Sequence, residues 1–355
     1  MDVDELLTGG CARRAQVEQL AARDGAIYIY GAGEYARAVE RFLRKHGLKV
    51  SGNFVDAPYK VDAELLDVDA FLDLEGSPSI VIGMADHRTA TARLQSSGRF
   101  SRSPIYHFVL NPLYLDAVDE SFLRKHRNEI SALHDLLEDH ASRRTLVAYL
   151  KAVYSGDDSL LIEVTTPGQY FQDFMPVDAE EVFVDGGAYT GDTLVDFVGH
   201  ASTRYHAYHA FEPDPRNFAS LLQEIASRRL PRVQPHPMAL SDKAGYLGMI
   251  QDLRSPDNSR ISMEGSLRIE STTIDNACPD ATFIKLDVEG GELHALRGGA
   301  ASIANNRPRL AVAAYHEPSH LWELAQFIRS IEPRYRFRIR QHRRIPTDLV
   351  LYAFV

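Results

Sequence analysis

The chain has 355 residues, of which 45% are hydrophobic and 25% charged, with a formal net charge of −10 and two cysteines. That length predicts two domains with ordinary cores, and the acidic balance argues against wrapping nucleic acid through its phosphates or docking on an anionic membrane. Cys11 and Cys278 lie far apart and outside any CxxC pattern, which argues against a disulfide framework and a zinc site. Residues 1–10 have neither the basic start nor the apolar run of a secretion signal, and no stretch is apolar for long enough to span a bilayer. A reducing, cytoplasmic setting is the expectation.

The first element in chain order is Ala26–Tyr30, a short apolar run that reads as a buried strand. Gly31-Ala32-Gly33 follows. Ala36, Val39, Phe42 and Leu43 then mark one face of a helix that Gly47 stops. Further strands read over Val50–Asp56, Ser79–Ala85 and Ile105–Leu110. Strand, helix, strand in this order predicts a small parallel, Rossmann-like α/β domain within residues 1–112. Over residues 113–162 the strand signals vanish. Ile130, Leu133, Leu136 and Leu137 recur at helical spacing, which fits either a helical connector or a cap over the second domain.

A second βα series occupies residues 163–355, which carry a complete set of strands and are expected to fold alone. Val182–Val184 is a strand core, followed by the turn Asp185–Gly191 and a helix. Tyr208–Phe211 is the second strand. Asp214-Pro215 opens a helix with an N-cap and a proline at its first position. Val233–Leu240 is the third strand. Residues 244–272 break the rhythm, and Ser255-Pro256-Asp257-Asn258 reads as the turn of an inserted hairpin. The series resumes with the strand Phe283–Asp287, a helix over Glu292–Ile303, the strand Leu310–Tyr315 and a helix behind Ser319. It closes on a hairpin of Arg336–Arg340 and Leu349–Val355.

Ligands of open α/β sheets bind at the carboxyl ends of the strands. Gly187 and Gly191 would let the backbone approach a ligand there, and Asp185 suits an ammonium group better than a pyrophosphate. Glu212 ends the second strand, where a carboxylate can accept from both hydroxyls of a ribose. Ala239–Asp242 ends the third, where Asp242 could accept from an adenine amino group. Alternation puts Lys285 and Asp287 on one face of their strand, with Asp287 at its end, and His316 ends the next. A histidine titrating near neutrality suits a general base. The bland alternatives are a ligand-free turn, a capping acid beside Asp214 and a solvated helix start. Three sites at three successive strand ends weigh against all of them together.

Four blocks carry a resemblance: EVFVDGGAYTGDT at 181–193, AFEPDP at 210–215, ALSD at 239–242 and IKLDVEGGELHALRGG at 284–299. In this order they resemble the FkbM family of S-adenosylmethionine-dependent methyltransferases, over about residues 163–355. The resemblance implies a class I methyltransferase-type seven-stranded doubly wound sheet, order 3-2-1-4-5-7-6, with a C-terminal antiparallel hairpin. It also implies S-adenosylmethionine as cofactor and O-methylation of a small-molecule, sugar, glycan or natural-product hydroxyl. Its glycine signature D-x-G-x-G-x-G meets Tyr189 where the middle glycine would stand. Asp185, Gly187, Tyr189, Gly191, Glu212, Asp242 and Asp287 are then the expected cofactor-binding residues. Asp287, His316 and Lys285 are the expected catalytic ones. No metal cage is evident, although Asp287 and Glu289 would suffice for Mg²⁺.

Gly31–Ala36 also fits G-x-G-x-x-A with the acid Asp56 beyond it, a dinucleotide fingerprint if taken literally. An NAD-dependent nucleotide-sugar enzyme therefore stays a rival reading, as does a scaffold with a retired methyltransferase domain. The first domain is left with nucleotide binding, substrate recognition or homo-oligomeric assembly as its role.

Overall fold

A computed structural model describes residues 3–8, 10–60, 62–109, 111–112, 117–201, 204–250, 260–261 and 265–355. The first half carries β1 (Ile27–Tyr30), β2 (Val50–Val55), β3 (Leu66–Asp67), β4 (Ser79–Ile82) and β5 (Ile105–His107). They form one parallel sheet in the order β3-β2-β1-β4-β5. β1 and β4 are buried almost throughout, because helices cover both faces of a parallel sheet and its strands then read as continuous apolar runs. The expected helix spans Glu34–Lys45.

The second half continues with β6 (Val182–Gly186), β7 (Ala207–Phe211), β8 (Val233–His236), β9 (Met238–Leu240), β10 (Gly245–Ile250), β11 (Arg260–Ile261) and β12 (Leu267–Thr272). β13 (Phe283–Leu286), β14 (Arg309–Ala313), β15 (Arg336–Gln341) and β16 (Leu349–Phe354) complete it. Seven of these form one sheet, in the order β15-β16-β14-β13-β6-β7-β8. β16 runs antiparallel to both β14 and β15. In chain order along this sheet that is 3-2-1-4-5-7-6, the doubly wound arrangement with the C-terminal hairpin.

Two expected elements divide. The third strand breaks at Pro237, which has no N–H for the ladder, so Val233–His236 stays on the large sheet while Met238–Leu240 joins a small one. That small sheet, β11-β10-β12-β9, contains the inserted hairpin. The helix over Glu292–Ile303 becomes Glu292–Arg297 and Ala300–Asn306, separated by Gly298-Gly299. Leu110, Leu113 and the turn Ser255–Asn258 lie outside the described residues.

Residues 117–162 are helical over Glu120–Lys125, Arg127–Leu136, His140–Ser155 and Ser159–Ile162. Of the two alternatives, the packing is that of a cap. Leu146, Tyr149 and Leu150 are buried in the same cluster as Ile284, Leu310 and Leu351 of the large sheet. The Glu138 amide donates to the Phe337 carbonyl at 2.9 Å, and Asp139 pairs with Arg340 at 2.7 Å. The cap thereby covers the edge strand β15, which would otherwise present unpaired backbone. Val3 and Leu6 pack in this cluster as well, so the chain's first helix belongs with the cap and not with the first sheet.

Polar contacts hold the first sheet's layer to the rest. Asp158, buried, lies 2.9 Å from His87 Nε2 and 2.5 Å from an Arg88 nitrogen. Burial opposes its ionisation, but the hydrogen bonds from His87 and Arg88 hold the carboxyl well below its usual range. Asn111 donates to the carbonyls of Tyr315 at 2.8 Å and Pro346 at 3.0 Å. Among the described residues no helix is long and apolar enough to cross a membrane.

Candidate functional site

A cavity of about 1100 Å³ lies where the carboxyl edges of the two parallel sheets face each other. Its lining joins Tyr30, Gly31, Gly33, Asp56 and Tyr59 from the first sheet's side to Gly187, Tyr189, Glu212, Lys285, Asp287 and Glu289 from the second. Both glycine turns singled out in the sequence therefore open into one space.

Its floor is set by register. β6 and β13 pair with Lys285 opposite Asp185, and the two side chains, both buried, lie 2.9 Å apart. Tyr208 donates its hydroxyl to Asp185 at 2.5 Å. Lys285 donates onward to the carbonyls of Gly187 at 2.7 Å and Gly186 at 3.2 Å. Burial works against the ammonium, yet Asp185 and Asp287 raise its pKa on balance. Lys285 thus favours its charged form and ties down the glycine turn, an arrangement that makes it a positioning residue for the turn. Asp185 does not line the cavity. The ammonium it holds is that of Lys285, so the expectation that it meets a ligand's ammonium is corrected too. Removing either partner would leave a buried charge unpaired, at a cost of roughly 3–5 kcal/mol.

The turn itself follows from backbone sterics. Gly187 has φ +76°, and a Cβ there would stand 1.9 Å from the Asp287 carbonyl oxygen. Tyr189 adopts φ +48°, so the backbone keeps a left-handed step where the generic signature has glycine. Its amide donates to Glu212 Oε2 at 2.9 Å, and the Asp214 amide donates to Oε1 at 2.8 Å. Burial pushes the Glu212 carboxyl up to about 7, with the two amides pulling the other way. Each carboxylate oxygen has a further lone pair beyond the one its amide uses. Gly191 packs behind the turn against Leu221 and Glu224 and is not on the cavity wall. At the end of β9, Met238, Ala239 and Leu240 line the cavity. Asp242 is not part of that wall and lies 3.5 Å from His294.

Beyond β13 the acids gather. Asp287 accepts from the Tyr170 hydroxyl at 2.7 Å and from Tyr315 at 3.3 Å. His316 is 2% exposed, with Nδ1 2.8 Å from Glu292 and Nε2 3.5 Å from both Asp287 and Glu289. Burial disfavours its charge, but these three carboxylates outweigh burial and push its pKa up to about 10. His316 is absent from the cavity wall. The expectation of a base titrating near neutrality is therefore corrected: without a competing cation the imidazole is already protonated. Burial likewise lifts Glu289 to about 8, against the pull of His316.

Sequence reasoning missed Tyr170, Tyr315, Tyr208 and Glu292. Tyr170 has φ +68° and lies outside any strand, so no periodicity marks it. Tyr315 and Glu292 each adjoin or sit within a block already read as functional, and strand-end placement would have found both. Tyr208 was read only as a strand residue.

Residues 185–339 match the model of the "Methyltransferase FkbM domain" family. Comparison with curated proteins gives no match. Among solved structures, a methyltransferase FkbM from Methylobacillus flagellatus KT aligns with a TM-score of 0.76 at 22% identity, covering 99% of this chain and 97% of that one. The common fold thus extends over the first sheet, the cap and the second sheet. An rRNA methylase from Streptococcus thermophilus aligns at TM-score 0.33 and 12% identity over 50% of this chain and 87% of that one. Fibrillarin from Aeropyrum pernix, solved with S-adenosyl-L-methionine bound, aligns at 0.31 and 12% over 50% and 69%. Residues 185–339 thus match the methyltransferase FkbM domain, and the chain as a whole shares its fold with the Methylobacillus flagellatus protein.

Proposed function

We propose that the protein transfers a methyl group from S-adenosylmethionine to a hydroxyl of a sugar, glycan or natural-product acceptor. The observation that carries this reading is Glu212: a buried carboxylate at the end of β7, aimed by two backbone amides and lining the cavity above the Gly187 turn. Such a group can accept both hydrogen bonds of a ribose diol and would repel a 2′-phosphate. Gly187 and Tyr189 would hold the nucleoside from the turn side. The apolar wall of Met238, Ala239 and Leu240 suits the flat face of an adenine.

Bound S-adenosylmethionine supplies a methyl already activated on a sulfonium, so positioning is the main task left to the protein. Asp287, fixed by the two tyrosine hydroxyls, is the group that would accept a hydrogen bond from the acceptor's hydroxyl and aim its oxygen. Lys285 and Asp185 keep the turn in place beneath. The first sheet's edge, with Tyr59 and Asp56, forms the far wall and would recognise the rest of the acceptor. The cavity, at about 1100 Å³, lies at the upper end of the usual range of about 300–1,000 Å³ for small-molecule sites.

The test is incubation of the protein with methyl-labelled S-adenosylmethionine and a panel of glycosides and extracts, followed by mass spectrometry. The expected result is an acceptor heavier by one methyl and sensitive to glycosidic context. Formation of S-adenosylhomocysteine with no methylated hydroxyl compound would contradict the acceptor class.

A further inference from the structure

We propose that Asp287, Glu289 and His316 form a binding site for a divalent first-row transition ion such as Mn²⁺. One ligand atom from each of the three lies within 4.8 Å of the others. Two carboxylates close together would not by themselves make a site. The second observation is His316: its side chain is 2% exposed, its Nε2 makes no hydrogen bond among the described residues, and that nitrogen lies 3.5 Å from both carboxylates. Ligand atoms at about 2.0–2.2 Å from an ion stand about 3 Å apart when adjacent in an octahedron, so His316 Nε2, 3.5 Å from each carboxylate, is about half an ångström from that spacing.

The surrounding groups are those that orient metal ligands. The other imidazole nitrogen, Nδ1, lies 2.8 Å from Glu292, the carboxylate–histidine arrangement that fixes a ligating ring with its second nitrogen toward the ion. Glu292 is itself held by the Val288 amide at 2.9 Å and faces His320 at 3.2 Å. Asp287 is held by Tyr170 and Tyr315. Imidazole with two carboxylates suits Mn²⁺ and its first-row neighbours better than Mg²⁺ or Ca²⁺, which favour all-oxygen sets. Asp287 and Glu289 line the cavity, so the ion's remaining positions face the space where an acceptor would lie. Its use in acceptor binding rests on the function proposed above; its binding to the protein does not.

The experiment is a Mn²⁺ titration of the full chain after treatment with EDTA, following loss of the free-ion signal by electron paramagnetic resonance. One bound ion per chain is expected. Glu289→Gln, at the cavity lip, and His316→Gln should each weaken it at least tenfold, and Glu292→Gln, one shell out, roughly 10–100-fold. Glu289→Gln keeps the test valid if the buried histidine variant does not fold. No bound ion at millimolar Mn²⁺, or unchanged affinity in Glu289→Gln, overturns the proposal. Calorimetry of S-adenosylhomocysteine on the same ion-free protein separates the two readings: nucleoside binding without Mn²⁺ binding removes only the ion, and the reverse removes only the cofactor.

Discussion

At the carboxyl edge of the first sheet, Asp56 follows β2 with its two oxygens occupied by the Tyr30 hydroxyl and Arg93, each at 2.8 Å. At the edge of the second, Glu212 follows β7 with its oxygens steadied, among the described residues, by the Tyr189 and Asp214 amides, and it is more buried. Both sheets are parallel at these edges, both place a glycine turn after their first strand in the chain, and both put an acid after the next. The first acid is paired with an arginine, while the second is held by two backbone amides in a buried place that opposes its ionisation. The glycine fingerprint belongs to the architecture, and the partners at the strand ends decide the chemistry.

The largest effect expected concerns how each half depends on the cap. A chain beginning at Leu160 loses Leu146, Tyr149 and Leu150 from the large sheet's cluster and should not fold. One beginning at Val118 keeps them and should. Circular dichroism and thermal melting of the two truncations decide this, and a folded chain from Leu160 would make the cap a connector after all. Next, Asp287→Asn should lower the single-turnover rate roughly 100-fold by loosening the acceptor's aim, with Tm little changed. A near-normal rate would remove this edge from the mechanism.

Glu212→Ala removes hydrogen bonds to an ionised group worth about 1.5–3 kcal/mol each, so S-adenosylhomocysteine affinity should fall at least tenfold. Asp56→Ala should leave that affinity within a factor of two. Equal losses in both would erase the contrast between the two edges. The same carboxylate carries a pH signature. With its folded pKa near 7 against an ordinary 4.5, the stability this group contributes is fully present below about pH 4.5 and is lost as pH rises through 7. A ligand that needs the ionised form should therefore bind up to about tenfold more weakly per pH unit below 7, with proton release on binding. Calorimetry in buffers of different ionisation enthalpy reads that release, and Glu212→Gln should abolish it.

Much of this was legible in the residues. Continuous apolar runs marked the central strands, because strands covered on both faces have no polar side to alternate. Asp214-Pro215 announced its helix, and Asp214 does accept from the Arg216 amide at 2.8 Å. Leu66–Asp67, only two residues long, offers no run to read. Pro237 could have warned that the third strand divides. At the site, the positions of Glu212 and Asp287 came from strand ends, but what each faces did not. Asp185 and Lys285 look like two free charges in sequence; only the pairing of β6 with β13 makes them one another's partner. His316 has the right residue type for a base, yet three carboxylates drawn from another segment of the chain settle its charge.

The central claim is tested most directly by calorimetry of S-adenosylhomocysteine and NAD on the 355-residue chain. The account predicts one S-adenosylhomocysteine bound per chain, lost or weakened at least tenfold in Glu212→Ala and kept in Asp56→Ala, with NAD binding far weaker. Tight NAD binding that depends on Asp56, with no response to S-adenosylhomocysteine, would contradict it.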